Sequence, residues 1–129
     1  MEKSVSIPVN VKCRLGVDND DSYEFAYKFI ETISTQTNVK HFIIHARKCW
    51  LQGLSPAENR NIPPLEYHKV YKLKNDFPDL QFTINGGFKT HEQINEALAP
   101  EKKLKGVMIG RAAYLTPWFF TDIDRLYFK

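Results

Sequence analysis

Four apolar runs in this sequence each lead into residues fit to hold a ring-bearing, anionic ligand. Lys12 follows SIPVNV, His45 follows HFII, Asn85-Gly86-Gly87 follows QFTI, and Gly110-Arg111 follows KGVMI. Lys12 offers a cation to a ring that carries negative charge; otherwise it is a surface lysine at a strand end. His45 offers a neutral or cationic donor, unless it is a satisfied core histidine. The glycines lack a Cβ, so their backbone N–H groups can approach a phosphate closely. The alternative is a pair of plain tight turns. Four such residues at the same end of four successive strands make a coherent anion site, because ligands of α/β folds gather at the carboxyl ends of the strands.

A second group lies in the segment ARKCWLQGLSPAENRNIPPLEY. Arg47, Lys48 and Arg60 surround Trp50. Cations that hold phosphates beside a ring that stacks on a base suit nucleic acid. Trp50 packing the loop onto its scaffold is the competing account. Cys49 sits beside Lys48, which favours a reactive thiolate, but Cys13 and Cys49 both read more simply as inert thiols. No metal-ligating constellation is expected.

The elements that must position these residues alternate. Ser6 to Lys12 reads as a strand, with Ile7, Val9 and Val11 on one face. Asp21 and Glu24 have capping-box spacing before a helix carrying Ala26, Phe29, Ile30 and Ile33, with Asn38 as its stop. His41 to His45 is a second strand. Ala46 to Pro64 has no periodicity, and loops of that length tend to be functional. A helix over about Leu65 to Phe77 precedes the strand Gln81 to Ile84. Thr90 and Gln93 form another capping box, opening a helix to about Leu98. Lys105 to Ile109 is a fourth strand. A short helix (Ala112 to Leu115) and a last one (Pro117 to Tyr127, with Pro117 in the first turn) complete the order. Strand-helix alternation implies parallel pairing. Residues 1–129 show no internal domain boundary.

Composition sets the limits. The chain has 129 residues, 43% hydrophobic and 26% charged, which suits a folded domain or a piece of one. A complete (β/α)8 barrel needs roughly 250 residues, so a chain of that class holds only about half of one, and the expected fold class is α/β, a partial TIM barrel. The net charge of +3 permits an RNA or phosphate partner without demanding one. Two cysteines make no disulfide framework. No run approaches the ~18 apolar residues of a membrane span and no signal peptide is evident. A cytoplasmic location without membrane association is therefore expected.

Four blocks, VKCRLG, HARKCWLQGLSPAENRNIPPLEY, INGGF and GVMIGRAAYLTPW, resemble in order and spacing those of the tRNA-dihydrouridine synthases, and of their DusA branch in particular. The resemblance runs from about Ile7 to the C-terminus. It implies the C-terminal half, about the last four βα units, of an FMN-holding barrel that acts on tRNA, with NADPH as reductant and a uridine reduced to 5,6-dihydrouridine. Lys12 and His45 would contact the flavin ring. Asn85, Gly86, Gly87, Gly110 and Arg111 would hold its phosphate, and Arg60, with Arg47 and Lys48, would face tRNA. Ala57 stands where relatives often carry lysine, which weakens one RNA contact.

In the family a cysteine from the first half of the barrel, in a block like GCPS, protonates the base. No such block occurs here. Cys13 stands where relatives often have histidine and Cys49 where they often have alanine, so neither takes that role. The isolated chain is then expected to be inactive. Two other accounts stay open: a non-catalytic half-barrel that binds FMN or RNA and pairs with the missing half or a second copy, and an unrelated phosphate-binding half-barrel.

Overall fold

The computed structural model describes residues 1–128. Four parallel strands form one sheet in the order β1-β2-β3-β4: β1 Val11–Val17, β2 His41–Cys49, β3 Gln81–Asn85 and β4 Gly106–Met108. The connections carry α1 Tyr23–Gln36, α2 Tyr67–Asp76 and α3 His91–Ala97. After β4 come α4 Arg111–Leu115, a 3-10 stretch Pro117–Asp122 and α5 Ile123–Tyr127. The α/β class and the parallel sheet agree with the reading of the sequence. Sequential order with every neighbour parallel is what repeated βα units produce.

Alternation along the strands gives the sheet two unlike faces. Phe42 and Ile44 of β2 and Phe82 and Ile84 of β3 point to the helices and are fully buried. They pack with Ile30 of α1, Val70 and Leu73 of α2, and Ile94 of α3. Phe42 and Phe82 are register partners whose rings stack with centroids 6.0 Å apart. Each such buried side chain contributes about 1.5–3 kcal/mol. The opposite face presents Lys12, Arg14, His45, Asn85 and Met108, and positions the site.

Several boundaries differ from expectation. The first strand is Val11–Val17, not Ser6 to Lys12; Ile7 is 71% exposed. Pro8 lacks a ladder donor, and β2 pairs only from Val11 onward. The cap of α1 is Ser22, whose hydroxyl accepts from Phe25 N–H at 3.1 Å, rather than Asp21. The Asp21 carboxylate is drawn to Lys48 instead. The capping box of Thr90 and Gln93 forms in full. The last expected helix divides into the 3-10 stretch and α5. No helix among the described residues is long and apolar enough to cross a membrane.

Candidate anion and nucleotide site

Register brings the polar residues into rows. Arg14 lies opposite His45, His45 opposite Asn85, and Asn85 opposite Met108. Lys12 lies one pleat back, opposite Ile43. These side chains floor a cavity of about 950 Å³, at the upper end of the range for ligand clefts. Its walls are the segments after β2, β3 and β4, including Trp50, Arg60, Gly86, Gly87, Lys89, Gly110 and Arg111. Among the described residues the lining holds five Lys and Arg side chains and no carboxylate. Trp50, Leu51, Leu54, Met108 and Leu115 give it apolar surface as well.

The long loop after β2 is fastened by three arginines. Arg14 Nη1 donates to the carbonyls of Lys48 at 3.0 Å and Asn59 at 2.8 Å. Arg47 Nη1 donates to the carbonyls of Asn61 and Pro63. Arg111 donates to Asn61 Oδ1 at 2.7 Å and to the Arg60 carbonyl at 3.3 Å. The Glu66 N–H closes the loop onto the Ala46 carbonyl at 2.7 Å. Such charge-assisted bonds are the stronger class. They make the loop a fixed wall, although it carries only one short 3-10 turn, Glu58–Arg60.

This geometry alters two expectations. Arg47 is 8% exposed and its guanidinium is engaged internally, so it does not present a cation at the surface. Its Nε is buried without a partner. Lys48 pairs with Asp21 and lies over the Trp50 ring at 4.4 Å from the centroid. Arg60 is exposed and lines the cavity.

His45 is buried beside Arg14, Lys12, Arg47 and Arg111. Burial, then these four cations, pushes its pKa down to about 4, so the imidazole is neutral at pH 7. That supplies a donor or acceptor within a cationic site without adding a charge.

The glycines serve different ends. Gly86 has φ +121°, and a Cβ there would lie 2.8 Å from both His45 Cδ2 and Leu65 Cδ2. A Cβ on Gly87 would meet Leu65 Cδ1 at 2.7 Å. Both let the turn pass under His45 and the end of the loop. The Tyr67 hydroxyl donates to the Gly86 carbonyl, and Asn85 Nδ2 donates to the Met108 carbonyl at 2.8 Å, fixing β3 to β4. Gly110 is exposed with open space where a Cβ would stand.

Cys13 faces α1, in a small apolar cavity with Phe25, Phe29 and Ile30, and burial pushes its thiol up to about 11. The inert reading suits it. Cys49 lines the large cavity. No group of three His, Cys, Asp or Glu that could hold a metal ion occurs among the described residues.

All seven residues read from the sequence as cofactor contacts line the one cavity, and Arg60 joins them. Sequence reasoning missed Arg14, Asn59 and Lys89. Arg14 shares the Lys12 face of β1 two residues on, so a strand placed at 11–17 points to it directly.

The family model for dihydrouridine synthase (Dus) matches residues 1–129. Among the curated relatives, the tRNA-dihydrouridine(20/20a) synthase of Salmonella typhimurium is 54% identical over 125 residues, 97% of this chain and 37% of that protein. The enzyme of the same name from Escherichia coli strain K12 is 54% identical over 125 residues, covering 97% of this chain and 35% of the relative. That of Pasteurella multocida is 51% identical over 128 residues, 99% of this chain and 38% of the relative. The chain thus spans little more than a third of the length of these relatives. With a match along its whole length and identity above one half, the chain belongs to the dihydrouridine synthase family.

Proposed function

We propose that this chain is the C-terminal half of the FMN-binding barrel of a tRNA-dihydrouridine synthase. One observation carries the reading: five cationic side chains and a neutral, buried imidazole line a single cavity that has no carboxylate among its described residues. Such a surface selects a polyanion with a flat ring, and Met108 on the cavity floor and Leu115 give that ring an apolar surface.

The residues present fit FMN. Lys12 and His45 would lie against the ring, and Asn85, Gly86, Gly87, Gly110 and Arg111 would hold the phosphate end. Of these, Gly110 leaves open space at the cavity, Arg111 lines it while its guanidinium holds the loop, and Gly86 and Gly87 shape the turn. Bound FMN would supply hydride for the reduction of a tRNA uridine and be recharged by NADPH. Lys12 would favour negative charge on the ring. His45 would donate or accept one hydrogen bond without titrating near neutral pH. Arg60 and the loop it occupies would meet the tRNA backbone.

No GCPS-like block lies within these 129 residues, and Cys13 is turned away from the cavity. The purified chain alone is therefore expected to bind FMN and to leave uridine unreduced. Flavin fluorescence titration tests the first statement, and Lys12→Ala with Arg111→Ala should weaken binding. Mass spectrometry of unmodified tRNA incubated with the chain, NADPH and FMN tests the second. Dihydrouridine in that tRNA would refute it, and absence of flavin binding would refute the cofactor assignment.

A second reading rests on the sheet edges. Within the described residues β1 and β4 each pair on one side only, and such edges recruit strands. A non-catalytic half-barrel that binds FMN or RNA and closes against a second copy would appear as a dimer in sedimentation equilibrium.

A further inference from the structure

Trp50 is held more firmly than a rim residue needs. Its backbone N–H donates to Asn59 Oδ1 at 2.8 Å, and its carbonyl accepts from Asn59 Nδ2 at 2.8 Å. Asn59 is 7% exposed, so a buried amide is spent entirely on this one residue. The Asn59 carbonyl in turn accepts from Arg14. Next to the ring, Lys48 lies 4.4 Å from its centroid and is itself tethered to Asp21. Trp50 also lines the large cavity.

Its depth distinguishes it from the residues that floor the cavity. Trp50 follows the end of β2 and stands five positions beyond His45, at most ~16 Å further along at the rise of a strand. A ring seated on the His45 row lies below it. What meets Trp50 is whatever reaches the cavity from outside. A flat ring with its backbone held by Asn59, in a cavity that the exposed Arg60 also lines, is an arrangement that can bind a base and its phosphate together.

We propose that Trp50 stacks against a nucleobase of RNA at the outer rim of the cavity, and that Asn59 is the residue that positions its ring. The inference rests on the reading that the loop after β2 meets tRNA.

Trp50 and Trp118 are the only tryptophans in the chain, so Trp118→Phe leaves Trp50 as the sole reporter. The probe is a short RNA hairpin with unpaired uridines, and its abasic counterpart is the control. The expected result is quenching of Trp50 emission by the hairpin but not by the abasic form. Trp50→Leu should bind the hairpin about ten-fold or more weakly, and Trp50→Phe should recover most of the loss. Both should bind FMN as the parent does. Asn59→Ala, which leaves the Asn59 carbonyl available to Arg14, should shift Trp50 emission and weaken the hairpin while sparing FMN.

Equal hairpin affinity in Trp50→Leu and the parent overturns the proposal and leaves the RNA reading standing. So does equal quenching by the abasic hairpin. A parallel loss of FMN binding in Trp50→Leu also overturns it, because the ring then serves the cofactor or the loop. Failure of the parent to bind the hairpin at all overturns the proposal together with the RNA reading.

Discussion

Arg14 on β1 and Asn59 in the loop after β2 are joined across 45 positions of sequence by a 2.8 Å bond from the guanidinium Nη1 to the backbone carbonyl. The same nitrogen reaches the Lys48 carbonyl. One side chain thus ties the end of β2, the 3-10 turn of the loop and the first strand into a single wall of the cavity.

Arg14→Ala should cost about 1–3 kcal/mol, since two partly buried carbonyls lose their donor. Arg14→Lys should recover only part of it, because one ammonium does not reproduce the guanidinium fork. Urea denaturation measures the loss. Faster proteolysis between Leu51 and Ala57 in Arg14→Ala would show that the loop is the part released.

Stability should fall as pH drops from about 6.5 to about 4. The folded pKa of His45, about 4, lies below its ordinary 6.5, so the unfolded chain takes up this proton first. The stability is fully present above pH 6.5 and is lost as pH approaches 4, roughly 3 kcal/mol in all. His41, whose pKa burial also lowers, adds to the same slope. Chemical denaturation across this window should give a flatter profile for His45→Asn.

Gly86→Ala and Gly110→Ala should behave oppositely. At Gly86 the methyl group meets His45 and Leu65 at a φ of +121°, so a loss of more than about 1 kcal/mol is expected. At Gly110 the space is open, and stability should hold within about 0.5 kcal/mol. A fall in FMN affinity for Gly110→Ala at unchanged melting temperature would support the phosphate assignment there.

Arg111→Ala should weaken FMN about ten-fold, and the affinity of the parent should fall as salt rises. Because Arg111 also holds Asn61, Asn61→Ala is the control. If Asn61→Ala loses as much FMN affinity as Arg111→Ala, Arg111 acts through the loop and does not touch the phosphate.

The sequence by itself determined whatever depends on neighbours along the chain. The capping box of Thr90 and Gln93 spans one turn and is legible from residue types alone. The apolar runs HFII and QFTI announced their strands because their alternate side chains had to be buried. The four blocks carried the family. Tertiary structure decided what depends on partners far along the chain. SIPVN has the alternation of a strand, yet pairing with β2 begins only at Val11, and Lys12 and Arg14 hide that strand because its other face is polar. Arg47 reads as a surface cation until the returning loop brings the Asn61 and Pro63 carbonyls onto it. Asn59 carries no signal at all, since its work is to hold Trp50 nine residues away. Local pattern measures burial and hydrogen bonding along an element, whereas register and loop return determine which charges remain free to meet a ligand.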